Sequence, residues 1–137
     1  MTESATPQTI LVADDDLHIL SLVRNFLRKK GFRVIEASDG DEAMQLVLEH
    51  QPSLVILDVM MPGQTGWEVC RSIREHEALQ HIGVIMLTGI GEQLNEMTSP
   101  LYGADAYLDK PFDFDELEKR VNDVLAKRAG AARAASA

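Results

Sequence analysis

The stretch Leu54-Val55-Ile56-Leu57-Asp58 decides the reading of this chain: four apolar residues without alternation, ended by a carboxylate. A strand with one face in water alternates apolar and polar side chains. An unbroken apolar run suits a strand buried on both faces, as in a parallel sheet. Ile10–Ala13 and Val84–Leu87 are equally unbroken, and Phe32–Ala37 and Ala106–Leu108 are rich in branched or aromatic residues. These five runs are expected to be the strands.

Helical patterns separate them. Ile19, Leu20, Val23, Phe26 and Leu27 form one apolar face, and Ala43, Leu46 and Val47 another. Cys70 and Ile73 follow Trp67 at helical spacing, and Phe114, Leu117, Val121, Val124 and Leu125 form the clearest stripe. Asp39 with Glu42, Thr65 with Glu68 and Asp113 with Glu116 have capping-box spacing, in which the first side chain accepts from a free helix N–H. A fourth helix is expected over about Glu92–Tyr102, but Pro100 falls inside it. A mid-helix proline costs about 3 kcal/mol, so a break or restart near Ser99 is expected. Strand–helix alternation with short connections implies right-handed crossovers and an α/β, doubly wound parallel sheet of five strands.

At 137 residues the chain is one domain in size, long enough to bury roughly 70% of its unfolded surface without staples. One cysteine, Cys70, excludes an internal disulfide and fits a reducing compartment. The opening residues Met1–Gln8 are polar, and no apolar run approaches the roughly 20 residues of a membrane span. A soluble, cytoplasmic protein without membrane contact is expected. The net charge of -9 repels phosphate backbones, which disfavours direct nucleic-acid binding. Most of the acid reads as solvated surface.

The exception is where acids fall at strand ends. Ligands of open parallel sheets bind beyond the C-terminal strand ends. Asp14, Asp15 and Asp16 follow the first run, Asp58 the third, Thr88 the fourth and Lys110 the fifth. Carboxylates crowded at one edge repel by a few kcal/mol per close pair and need a cation or raised pKa values. Lys110 alone is insufficient. A hard divalent ion held by two or three oxygens and keeping several waters would complete the balance, and magnesium fits. Asp16 reads instead as the cap of the first helix. Taken alone, Thr88 is equally a polar strand end and Tyr107 an ordinary half-buried aromatic. His18, His50, His76 and His81 have no ligand spacing, and Trp67 and Cys70 read as packing residues.

Four blocks together carry a resemblance: Ile10 through Asp16, Leu57 through Gly63 (Leu-Asp-Val-Met-Met-Pro-Gly), Leu87-Thr88, and Gly103 through Phe112 (Gly-Ala-Asp-Ala-Tyr-Leu-Asp-Lys-Pro-Phe). In this order they closely resemble the receiver domains of two-component response regulators, over about residues 9 to 127. The resemblance implies a flavodoxin-like (βα)5 sheet of order 2-1-3-4-5, with residues 9–128 as the receiver domain and 1–8 as a flexible N-terminus. Residues 129–137 are expected to be an alanine-rich tail, a frayed extension of the last helix or disordered. Asp58 is implied as phosphoacceptor, with Asp14, Asp15 and the Met60 carbonyl completing a magnesium site. Thr88 is implied to hold a phosphoryl oxygen, Lys110 to pair with the acceptor and then with the phosphoryl group, and Tyr107 to be the aromatic switch. The Lys110-Pro111 bond is implied to be cis. The implied partners are a sensor histidine kinase or histidine phosphotransfer protein and a downstream protein whose identity the sequence does not carry.

Some positions depart from the family. Met60 and Ile90, two after Asp58 and Thr88, are both apolar and offer no group to orient an attacking water, so slow loss of phosphate is expected. Gly89 leaves room beside Thr88, and Asp109 adds an acid next to Lys110. Two other readings compete. Asp14-Asp15-Asp16 contains the D-x-D of aspartate-nucleophile phosphatases, but Leu17 and His18 stand where small and hydroxyl residues are needed. A degenerate binding scaffold would not be expected to keep every site position.

Overall fold

The computed structural model describes residues 8–89 and 103–136, with side chains through Gly130. The expected helix near 92–102, with its break at Pro100, lies outside the described residues, as do Ile90 and residues 1–7. Five strands, β1 (Thr9–Ala13), β2 (Arg33–Ala37), β3 (Leu54–Asp58), β4 (Gly83–Thr88) and β5 (Ala106–Asp109), form one sheet. Its order is β2-β1-β3-β4-β5 and every pairing is parallel. The expected topology is met, and the five strand ends open onto one edge.

Successive residues of the central strands point to opposite faces, and both faces are covered. Leu11, Val55, Leu57, Val84 and Met86 pack against Ala43 and Val47 of α2 (Gly40–His50) and Val69, Cys70 and Ile73 of α3 (Gly66–Glu75). Ile10, Leu54, Ile56, Ile85 and Leu87 pack against Leu20, Val23 and Leu27 of α1 (Leu17–Lys29) and Leu117, Val121 and Val124 of the C-terminal helix (Phe114–Ser136). Leu54 through Leu57 are wholly buried, which is why that run shows no alternation. Cys70 lies in this core, and burial pushes its thiol up to about 12, leaving it protonated and unreactive.

The caps form as the spacing predicts. Asp16 accepts from the His18 and Ile19 amides, Asp39 from Glu42 and Asp113 from Glu116. Thr65 and Glu68 complete a reciprocal capping box. The last helix begins where Phe114 stacks on Phe26 of α1, ring centroids 4.6 Å apart. Its backbone continues past Ala129 as far as Ser136. No helix among the described residues is long and apolar enough to cross a membrane.

Candidate functional site at the C-terminal edge of the sheet

Asp14 stands immediately after β1, and its amide donates to Ala37 O at 3.1 Å. It is wholly buried. One carboxylate oxygen accepts from the Asp16 amide at 2.9 Å and the other from Lys110 Nζ at 2.8 Å. Asp58 ends β3, between β1 and β4, and is only 7% exposed. Lys110 Nζ lies 3.4 Å from Asp58 Oδ1, so the ammonium bridges both acids and sits nearer Asp14. Lys110 reaches inward from the turn after β5, where its amide donates to Thr88 O at 2.7 Å and its bond to Pro111 is cis. Thr88 ends β4 and is buried.

Carboxylate oxygens of Asp14, Asp15 and Asp58 lie within 4.8 Å of one another, with Asp15 on the exposed side. Burial first, and then the Asp14 charge, raise the Asp58 carboxyl from 3.8 to about 6 against the opposing pull of Lys110. Burial would depress the Lys110 ammonium, but its hydrogen bond to Asp14 and the charge of Asp58 raise it instead. One cation therefore does not neutralise the cluster. A hard divalent ion fits this donor set: it prefers oxygen ligands, and its charge would offset the repulsion that raises Asp58. Met60 is 68% exposed beside the site. Tyr107 is half-buried on β5, packed against the α2–α3 side of the core.

One cluster escaped the sequence reading. Asp105, ahead of β5, has a buried carboxylate that receives Arg74, Lys127 and Arg128 and the Val84 amide. Burial would raise its carboxyl, yet hydrogen bonds from Arg128, Val84 and Lys127 hold it below the usual range. Its partners are 21 to 31 residues away, a spacing that no local periodicity reports.

The chain is an α/β protein with an open parallel sheet, and its three carboxylates and inward lysine lie at the C-terminal edge, where ligands of such sheets bind. The chain belongs to the response regulator receiver domain family, whose model matches residues 10–122. It is 39% identical over 122 residues to the transcriptional regulatory protein GltR of Pseudomonas aeruginosa, covering 89% of this chain and 50% of that protein. It is 43% identical over 116 residues to the transcriptional regulatory protein ResD of Bacillus subtilis, covering 85% of this chain and 47% of ResD. The chain thus spans about half the length of these curated relatives. Among solved structures, a putative response regulator from Chloroflexus aurantiacus superposes with a TM-score of 0.84 at 35% identity, covering 88% of this chain and 99% of that one. The receiver domain of the Pseudomonas aeruginosa sensor histidine kinase PA1611, described with magnesium coordinated in its active site cleft, gives 0.80 at 26% identity, covering 88% and 99%.

Proposed function

We propose that the protein is a phosphorylation-activated signalling switch in which Asp58 accepts a phosphoryl group from a sensor histidine kinase or a histidine phosphotransfer protein. The observation that carries this reading is the convergence of Asp14, Asp15, Asp58 and Lys110 at one sheet edge. An Asp58 carboxylate oxygen attacks phosphorus, the bond from phosphorus to the donor's imidazole nitrogen breaks, and that nitrogen keeps the electron pair. Catalysis here is positioning and charge compensation. Asp14, Asp15, Asp58 and the Met60 carbonyl would hold magnesium, which when bound supplies positive charge to the phosphoryl oxygens. Lys110 offsets further charge, and the Thr88 hydroxyl donates to a phosphoryl oxygen.

The phosphorylated residue carries more negative charge and more acceptor oxygens than the carboxylate it replaces. Those atoms draw Thr88 inward, and Tyr107 follows as the aromatic switch, changing the surface offered to a downstream protein. The acidic charge balance favours a protein partner over direct nucleic-acid contact by this segment, in the cytoplasm. The chain catalyses its own phosphorylation and dephosphorylation and nothing further. Neither the exposed Met60 side chain nor that of Ile90 carries a group to orient a water, so the phosphorylated form decays slowly; loss of label within seconds would sink that point.

The test is intact mass after incubation with a small acyl phosphate, with and without magnesium. A magnesium-dependent gain of one phosphoryl group that Asp58→Ala abolishes is expected. No gain in the wild type would favour a binding scaffold, and a gain surviving Asp58→Ala would move the acceptor elsewhere.

A further inference from the structure

The loop from Val59 to Thr65 leaves the acceptor strand and carries Met60. At its base the Gly66 amide donates to Val59 O at 2.9 Å, and Gly66 lies so close to Asp58 that a side chain would meet the acceptor's own backbone. The tip of the loop rests on the first turn of α2. There the Gly40 amide donates to Pro62 O at 3.1 Å. A methyl group on Gly40 would overlap the Gln64 carbonyl oxygen and lie 2.5 Å from the carbonyl carbon. Gly63 takes φ +73, and a side chain on it would come within 2.6 Å of Asp41 Oδ2. Gln64 Nε2 closes the contact by donating to Asp41 Oδ1 at 3.3 Å.

Gly40 is the first residue of α2, buried, and followed by good helix formers. Alanine is the better helix residue, so a helix alone gives no reason for glycine here. The close approach of the Gln64 backbone gives one, and backbone cannot swing aside as a side-chain tip can. We propose that Gly40 is a positioning residue of the metal site: the first turn of α2 seats the 60–64 loop and thereby sets the Met60 carbonyl against Asp14, Asp15 and Asp58. The proposal rests on the magnesium reading above. It assigns α2, which supplies no ligand, the part of a brace behind the ligand loop.

The test compares Gly40→Ala with Gly83→Ala in the full chain. Gly83 is a second crowded glycine, at the opposite sheet edge, where a methyl would meet side-chain tips rather than backbone, 2.5 Å from Val124 Cγ1 and 2.9 Å from Leu54 Cδ1. Magnesium affinity is read by titration calorimetry at a temperature where circular dichroism shows both variants folded. Gly40→Ala should weaken magnesium by about fivefold or more, and Gly83→Ala should stay within about twofold of wild type. Equal affinity in Gly40→Ala and wild type overturns the proposal. If Gly40→Ala does not fold, the wild type still decides. Coupling is reciprocal, so magnesium must slow hydrogen exchange at the Gly40 amide, and unchanged exchange at saturating magnesium overturns the brace. A wild type that binds no magnesium overturns the underlying reading, and the brace with it.

Discussion

The two ends of the sheet are electrostatic opposites built from the same groups. At the C-terminal edge three carboxylates, Asp14, Asp15 and Asp58, face one ammonium, Lys110. At the N-terminal edge three cations, Arg74, Lys127 and Arg128, surround one carboxylate, Asp105. The Asp105 end is satisfied. Arg74 also donates to Gly103 O and Ile82 O, both at 2.8 Å, and Arg128 donates to Gln80 O at 3.1 Å. It ties the end of α3, the start of β4 and the C-terminal helix together. The Asp58 end is left with uncompensated acid. One end is organised for stability, and the other holds charge that a ligand would relieve.

The largest effect expected from breaking this contrast is at Asp105. Asp105→Ala leaves two partly buried guanidinium groups without their shared carboxylate and should cost about 3–5 kcal/mol, read by chemical denaturation. Magnesium binding should survive wherever the variant is folded. At the other end the sign reverses. The rise of Asp58 from 3.8 to about 6 corresponds to about 3 kcal/mol of destabilisation at neutral pH. Asp58→Asn should therefore stabilise the magnesium-free protein by up to about that amount, whereas Asp105→Asn should destabilise it.

Acid titration separates the same two groups in one sample. The folded-state pKa of Asp58 lies above its unfolded value, so the folded protein takes up this proton first. Stability should rise as pH falls from about 7 through 6. Saturating magnesium should remove that limb and chelation restore it. The Asp105 value is depressed, so its contribution is full above the ordinary carboxylate range and is lost as pH falls through its folded value. Asp105→Asn should flatten only this acid limb. The smallest effect should come from Lys127→Ala. Its side chain is 61% exposed, and the loss should stay within about 1 kcal/mol in thermal melts.

The two ends also differed in how far the sequence disclosed them. Asp14, Asp58, Thr88 and Lys110 were legible because each ends or immediately follows a strand, and a parallel sheet brings all strand ends to one edge. Knowing the strands was enough to gather the residues. That logic gave neighbours but no distances, so the closer approach of Lys110 to Asp14 than to Asp58 required the packed structure. Asp105 lies in the Gly103–Phe112 block with no visible role there, because Arg74 comes from the last turn of α3 and Arg128 from within the C-terminal helix, and no strand pattern reports how those helices pack. Gly40 was read past in the same way. The capping signal of Asp39 and Glu42 explained the helix start, while the need for glycine lay in the approach of Gln64, from the β3–α3 connection.

Lys110 Nζ and Asp14 Oδ2 are separated by 96 residues along the chain and by 2.8 Å in space. During synthesis the acids are therefore made long before the cation that bridges them. A ribosome-bound chain that has exposed β1 and β3 holds Asp14 and Asp58 but not the lysine that bridges them. The carboxylates therefore stay without this partner until translation has reached the fifth strand and the sheet has closed. The long sequence span thus makes charge compensation at this edge one of the last events of assembly, dependent on the arrival of β5.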